Sequence, residues 1–199
     1  MNKSNYFFNF VRAYHRIFLK VLFFEIIYSA KFYEFLPKIK VHNNSKRTDT
    51  VPCVYFFLHE ISKFLKKENI KSFVDIGSGY GRVVNFLSKK NNIRSYGIEY
   101  DKEVFRSSVK KKSAKVKLYC ADVFKFDLSK LKSNCYILID PFKQKNDLIK
   151  FLNKLNKIKL DKKYLITVNL KKFKFPKNYK ILYSLVASND RSLKIFKIY

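Results

Sequence analysis

Four acidic residues stand at or just past the ends of four short apolar segments, where a folded sheet would bring them together. They are Asp75, Glu99, Asp122 and Asp140, in a chain that has only 15 acids among its 199 residues. The carboxyl ends of parallel strands meet at one edge of a sheet, and ligands bind beyond that edge. Four carboxylates there predict a site for a ligand that carries amine, hydroxyl or cationic groups.

Three of the four glycines lie in one run that begins at the first of these acids. The run is Asp75-Ile76-Gly77-Ser78-Gly79-Tyr80-Gly81, and the fourth glycine is Gly97. Glycine adopts backbone angles that other residues avoid, so such a loop passes close to a ligand and exposes the N–H groups of the following helix. The spacing differs from the G-x-G-x-x-G of dinucleotide sites, and the adjacent carboxylate would repel a pyrophosphate. The run therefore predicts a site for a cationic or amine-bearing ligand.

The elements that position these residues follow from the pattern of the rest of the chain. From residue 70 onward, short apolar runs alternate with longer amphipathic ones, which predicts parallel strands covered by helices on both faces. The predicted strands are 71–75, 94–99, 116–120, 135–140, 163–169, 180–187 and 192–198; the predicted helices are 53–67, 81–90, 101–112 and 144–158. The turn sequence Ser188-Asn189-Asp190-Arg191 predicts that the last two strands form an antiparallel hairpin. The expected fold is α/β, with a mostly parallel seven-stranded sheet.

The segments VDIGSGYGRVV, YGIEYD, CADVF and ILIDPF resemble, in this order, the motifs of class I S-adenosylmethionine-dependent methyltransferases. The resemblance covers about residues 70–199, within an expected methyltransferase domain at 51–199. It implies a Rossmann-like three-layer sandwich, methyltransferase activity and S-adenosyl-L-methionine as the cofactor. By that likeness the glycine run would hold the methionine portion, Glu99 the ribose hydroxyls, and Asp122 with Val123 the adenine. The cofactor-binding residues that it implies are Asp75, Gly77, Ser78, Gly79, Gly81, Glu99, Tyr100, Asp122 and Val123.

The sequence Asp140-Pro141-Phe142 stands at the position of the family's substrate-side motif, so these three are the candidate catalytic residues. The chain looks most like small bacterial members of unassigned substrate, and it is also similar to class I protein lysine methyltransferases. Enzymes that methylate base amines usually have Asn/Asp-Pro-Pro-Tyr/Phe, and this motif is one proline short. The interpretation favoured is an amine or carboxyl acceptor on a protein or small molecule. The alternatives are an RNA or DNA base, or a basic nucleic-acid-binding protein without catalysis.

The composition indicates which partners, cellular compartment and metal sites to expect. The formal net charge is +28, and 36 of the 43 basic residues are lysines, as an AT-rich genome would produce. A surface of that sign attracts nucleic acid, anionic lipid or an acidic protein, so nucleic acid stays open as a partner. Three cysteines without a CxxC pair favour a reducing cytoplasm over a secreted disulfide framework. The three histidines have no ligand spacing, so no metal is expected.

Residues 1–50 are expected to form a helical extension followed by a polar loop. Residues 5–36 are aromatic and apolar with a charge about every four residues, which is typical of one or two amphipathic helices. Their charge-free stretches are far shorter than the ~20 residues of a membrane span, and no signal-peptide cleavage site follows them. Two interpretations stay open. The favoured one is a helical cap packed on the domain; the other is a helix that lies on a membrane surface.

Overall fold

A seven-stranded sheet forms the centre of the computed structural model, which describes residues 11–32, 38–41, 48–110, 112–170, 173–188 and 190–199. The strands are β1 (Ser72–Ile76), β2 (Arg94–Glu99), β3 (Val116–Cys120), β4 (Cys135–Ile139), β5 (Lys163–Val168), β6 (Tyr179–Val186) and β7 (Ser192–Ile198). Their order is β3-β2-β1-β4-β5-β7-β6, and β7 runs antiparallel to its neighbours β5 and β6. The predicted mostly parallel sheet with a C-terminal antiparallel hairpin is confirmed.

Helices lie on both faces of this sheet. They are α1 (Phe18–Phe32), α2 (Tyr55–Lys67), α3 (Arg82–Asn91), α4 (Lys102–Val109) and α5 (Lys145–Asn156), together with 3-10 helices at His15–Ile17 and Leu128–Leu131. The helices predicted from residue 53 onward are all present, and their ends differ from the predicted ones by at most three residues.

Two clusters of buried apolar side chains fill the spaces between the central sheet and the helices on its two faces. Phe73 of β1 and Ile137 of β4 pack in one cluster with α2 and α3, whereas Val74 and Tyr136, the alternate residues, pack in a second cluster with α5. Alternate side chains of a strand point to opposite faces of the sheet. β1 and β5 are buried along their whole length because both faces are covered, which is why their sequences are apolar runs. The predicted α/β three-layer sandwich is confirmed.

The order of the strands creates a crevice at the carboxyl ends of β1 and β4. The chain builds β1, β2 and β3 outward in one direction and then returns to place β4 on the other side of β1. The connections that follow β1 and β4 therefore leave the sheet in opposite directions, which opens a crevice between them.

The N-terminal extension packs on the helical layer of the domain. Residues 11–14 are also helical, and α1 contacts α2 through Phe24 and Phe56, whose ring centroids are 5.5 Å apart. Tyr28 reaches Phe86 of α3 at 4.9 Å. The predicted helical extension is confirmed for residues 11–32, whereas 5–10 and 33–36 lie outside the described residues. In the part of the chain that is described, no helix combines the length and apolarity of a membrane span.

Candidate ligand site at the carboxyl ends of the strands

A cavity of about 390 Å³ opens at this crevice, beyond the carboxyl ends of β1 to β4. Six of the chain's 15 acids line it, whereas Arg82 is the only one of the 43 basic residues that does so within the described structure. The acids are Asp49, Asp75, Glu99, Asp101, Asp122 and Asp147. A strongly basic protein therefore contains one acidic cavity.

The glycine run forms one wall of the cavity in a conformation that its sequence requires. Gly77, Gly79 and Gly81 have φ angles of 71°, 55° and 84°, in the left-handed region. The N–H groups of Gly77 and Ser78 donate to the Ile98 carbonyl at 2.9 and 3.1 Å, which ties the loop to β2. Gly81 precedes α3 and offers no side chain to cap it, so the first N–H groups of that helix are left for a ligand.

Gly97 supports the same loop from below, a role that the sequence alone did not reveal. A Cβ atom at Gly97 would lie 2.7 Å from the Ser78 hydroxyl oxygen and 2.6 Å from Leu118. Ser78 therefore turns into the sheet and packs on the bare backbone of β2. All four glycines of the chain thus serve the geometry of one loop.

Glu99 holds the glycine loop and the start of α4 with one carboxylate. Its Oε2 accepts from the Gly79 N–H at 2.8 Å, and its Oε1 accepts from the Asp101 N–H at 2.8 Å. Each carboxylate oxygen can accept more than one hydrogen bond, so both retain capacity for ligand hydroxyls. Glu99 is buried and lines the cavity, as its predicted role toward a ribose requires.

Asp75 is fully buried, and neither of its carboxyl oxygens has a hydrogen-bond partner among the described residues. Burial, followed by the nearby negative charge of Glu99, raises the pKa of Asp75 to about 8. A buried polar group without a partner costs free energy, so the position fits a ligand that donates hydrogen bonds or carries positive charge. Asp75 lines the cavity directly.

We expect Asp75→Asn to stabilise the protein increasingly as the pH rises. Between about pH 4 and pH 8 the folded state keeps a proton on Asp75 that the unfolded chain has lost, so this carboxyl lowers the free energy of unfolding as pH increases. The amide does not titrate. The advantage of the variant over wild type should grow by up to about 4 kcal/mol between pH 5 and pH 8, at about 1.4 kcal/mol per pH unit.

Urea unfolding of both proteins at the two pH values measures this difference. The exposed residue Asp127 provides a control, because its hydrogen bonds to Ser129 lower the pKa of its carboxyl. Asp127→Asn should therefore change stability by the same amount at both pH values. If the free energy of unfolding depends on pH in the same way for wild type and Asp75→Asn, the raised pKa of Asp75 is contradicted.

The residues predicted to contact adenine and ribose lie at the same cavity. Asp122 uses Oδ1 to accept from the Phe124 N–H at 2.9 Å, which forms a tight turn just after β3. Val123 is buried, whereas 58% of Tyr100 is exposed at the rim. All three line the cavity, and their predicted contacts with a cofactor stay predictions.

The three candidate catalytic residues divide between two cavities. Pro141 and Phe142 line the acidic cavity, whereas Asp140 lines a second one of about 460 Å³, which Phe142 also borders. Asn169 and Arg191 face the second cavity. Asp140 has φ 45°, a left-handed conformation at the end of β4, and its side chain does not line the acidic cavity that Pro141 and Phe142 line.

Residues 48–53, where the N-terminal extension joins the domain, complete the wall of the acidic cavity. The Thr48 hydroxyl donates to the Pro141 carbonyl at 3.3 Å, and Thr50 forms an isolated antiparallel bridge with Lys40. Lys40 Nζ in turn contacts Asp101 at 2.9 Å and Glu103 at 2.7 Å. The polar loop predicted before residue 50 is thus held at residue 40 and at residues 48–50; residues 42–47 lie outside the described structure.

Arg82 binds the N-terminal extension. Its guanidinium contacts the Glu25 carboxylate of α1 at 3.2 Å and lies 4.4 Å from the Tyr55 ring centroid. Glu25 also accepts from the Tyr55 N–H at the start of α2, where no side chain of the flanking residue caps the helix. The extension therefore contacts the first residue after the glycine loop.

Several solved structures of methyltransferases share this fold. An RNA methyltransferase from Salinibacter ruber, in complex with S-adenosyl-L-homocysteine, has a TM-score of 0.60 at 16% identity, over 74% of this chain and 94% of that one. A SAM-dependent methyltransferase from Aquifex aeolicus gives 0.52 at 17% identity, over 69% and 88%. Magnesium protoporphyrin IX methyltransferase from Synechocystis PCC 6803, with bound SAM, gives 0.55 at 12% identity, over 70% and 76%.

No model of a protein family matches the sequence, and neither does any curated protein sequence. The likeness to solved structures confirms the Rossmann-like fold of the class I methyltransferases that the motifs indicated.

Proposed function

We propose that this protein is a methyltransferase and that S-adenosylmethionine binds in the acidic cavity. The observation that carries the proposal is the acidic lining of the cavity, which consists of six acidic residues and a single arginine in a chain of net charge +28. Such a cavity repels an anionic dinucleotide and attracts a ligand with sulfonium and ammonium groups. Three of the solved structures that share the fold carry S-adenosylmethionine or S-adenosylhomocysteine, or are named for using it, which supports the same ligand.

The residues present fit that ligand. The unpartnered carboxyl of Asp75 matches an ammonium group, and the left-handed glycines leave room for a ligand beside the backbone. Glu99 retains acceptor capacity for ribose hydroxyls, and Asp122 with Val123 provides a polar and an apolar contact for adenine. Bound there, S-adenosylmethionine would supply a methyl group already activated by its sulfonium.

The protein's own contribution is to position the acceptor and exclude water. Pro141, Phe142 and residues 48–53 form the wall that would shield the transferred group. Asp140 would accept a hydrogen bond from an acceptor amine and so orient its lone pair. Its carboxyl makes no hydrogen bond within the described structure, and burial raises its pKa although Arg191 opposes that shift.

An amine acceptor is favoured by two side chains with acceptor oxygens at the second cavity, which Lys143, Lys145 and Arg191 also line. Asp140 offers carboxyl oxygens, and Asn169 has a buried side-chain oxygen without a partner in the described residues. Both residues end neighbouring parallel strands with positive φ angles, 45° and 67°, a conformation that concentrates at functional sites. Phe142 borders both cavities. An acceptor bound in the second cavity would therefore approach the acidic cavity alongside the Phe142 ring.

A nucleic-acid base is the second candidate acceptor, favoured by a basic groove on α5. Lys150, Lys154 and Lys157 line this groove together with Phe124. Lys150 Nζ lies 4.5 Å from the Phe124 ring centroid, and Phe124 stacks on Phe142 at 5.7 Å. Aromatic rings beside lysines are a common arrangement for binding single-stranded nucleic acid.

One labelling experiment tests both the activity and the class of acceptor. The protein is incubated with methyl-labelled S-adenosylmethionine and an extract from cells that lack the enzyme. We expect label that protease removes, or label in small molecules. Label that nuclease removes would identify the second candidate, and no label together with no calorimetric signal for the cofactor would contradict the proposed function.

The variant Glu99→Ala tests whether methyl transfer depends on cofactor binding in the acidic cavity. It removes a charged acceptor and the anchor of Gly79, so the dissociation constant for S-adenosylmethionine should rise by about 10- to 150-fold, or roughly 1.5–3 kcal/mol. Label transfer at low cofactor concentration should fall in proportion. Asp161→Ala is the control, because Asp161 is exposed and lies outside the cavity, so its variant should bind as wild type does.

A further inference from the structure

The outward side of α1 exposes a row of large apolar side chains. The fractions exposed are 78% for Leu19, 59% for Phe23 and 62% for Ile26, with Leu22 and Ile27 beside them at 37% and 44%. Their spacing of three and four residues places them on one side of the helix. We call these five residues the outer face of α1.

The opposite side of α1 is already covered by the domain. Val21 is fully buried, and Phe24 and Tyr28 contact aromatic residues of α2 and α3. The helix is therefore apolar on both sides, although only one of them is packed. A helix that is apolar all round is normally buried, so the outer face requires a partner outside the described fold.

Within residues 11–32, basic residues accompany the outer face and no acid does. Arg12, Arg16, Lys20 and Lys31 are exposed on this helical segment. Glu25 is the only acid in residues 11–32, and it turns inward to Arg82. The exposed side of this segment therefore combines apolar side chains with positive charge.

We propose that the outer face of α1 binds the surface of an anionic lipid bilayer. Large apolar side chains enter the boundary between headgroups and acyl chains, while lysine and arginine contact anionic headgroups. A second copy of the chain is disfavoured, because a symmetric contact would bring the same four basic residues of both copies together. Nucleic acid would match the charge but leave Leu19, Phe23 and Ile26 in water.

Contacts made by Glu25 keep the helix in its place when the outer face is engaged. Glu25 binds Arg82 and the start of α2 from the inward side, so neither contact competes with lipid. The proposal therefore requires no unfolding or release of α1, and it does not depend on the methyl acceptor.

Vesicle co-sedimentation of the full chain, freed of nucleic acid by nuclease, tests the proposal. We expect binding to vesicles of phosphatidylcholine mixed with phosphatidylglycerol and little binding to phosphatidylcholine alone. Phe23→Ser with Ile26→Ser should weaken the binding by at least about tenfold, since two apolar side chains no longer enter the bilayer. The control Ile181→Ser, at an exposed apolar residue of β6, should bind as wild type does.

Charge variants complete the test. Arg16→Glu with Lys20→Glu should weaken the binding more than Lys66→Glu with Lys67→Glu, which makes the same change of charge on the exposed side of α2. Equal weakening by both pairs would overturn the proposal. Wild-type binding by the Phe23/Ile26 variant would do so too, as would a dimer in solution that this variant dissociates.

Discussion

We expect Gly77→Ala to remove S-adenosylmethionine binding and to destabilise the protein. A Cβ atom at this position would lie 2.8 Å from the Cβ of Pro141, closer than real Cβ contacts, and the φ angle of 71° adds strain of its own. Either the glycine loop or the Asp140-Pro141-Phe142 segment must move, and both border the cavity. The cofactor affinity should fall at least about 100-fold and the free energy of unfolding by about 2–4 kcal/mol.

Calorimetric titration and urea unfolding measure these changes, and Gly79→Ala isolates their cause. Gly79 also has a positive φ angle, but its added Cβ would meet only the end of the Thr50 side chain, at 3.0 Å. The Gly79 variant should therefore show the smaller loss. Adding Pro141→Gly to the Gly77 variant should restore part of the stability, whereas Pro141→Ala keeps the Cβ and should not. Equal effects of the two glycine variants would contradict the contact with Pro141.

Asp140→Ala should abolish methyl transfer while the affinity for S-adenosylmethionine changes little. Asp140 lies outside the acidic cavity, in the neighbouring one that we assign to the acceptor. Loss of the group that orients the amine should lower the single-turnover rate by about 100-fold or more. Cofactor titration and label transfer, measured on the same preparation, separate the two effects.

The backbone at Asp140 requires two further variants. Its φ angle of 45° strains alanine but not glycine, so Asp140→Gly should lose transfer as completely as Asp140→Ala does. Asp140→Asn keeps an acceptor oxygen and tolerates this conformation, and it should retain measurable transfer. Wild-type rates in the alanine and glycine variants would remove Asp140 from the reaction.

Much of the fold could be predicted because its signals are local. β1 and β5 are uniformly buried, so their sequences are short apolar runs, and a turn sequence separates β6 from β7. The acidic cavity could be predicted for a related reason. Parallel strands bring their carboxyl ends to one edge, so acids such as Asp75 and Glu99, which end neighbouring strands, must meet there.

Contacts between distant segments could not be predicted from such patterns. Lys40 binds Asp101 across 61 residues, and Arg82 binds Glu25 across 57, and no periodicity links the partners. The side-chain direction of Asp140 depends on one backbone angle, which the sequence Asp140-Pro141-Phe142 does not determine. The sequence therefore predicted the part of the cavity at the ends of the strands. The wall that residues 48–53 form became evident only in the folded structure.

Two opposed electric fields act on a cation that diffuses toward the acidic cavity. Far from the protein, the net charge of +28 repels the cation, whereas close to the cavity the carboxylates that line it attract the cation. Dissolved salt screens the distant repulsion first, because the Debye length at physiological ionic strength is only about 8 Å. The association rate of a cationic ligand should therefore rise with ionic strength, while that of an anionic macromolecule falls. The dependence of the association rate on salt concentration thus distinguishes cationic ligands of the cavity from anionic ligands of the protein surface.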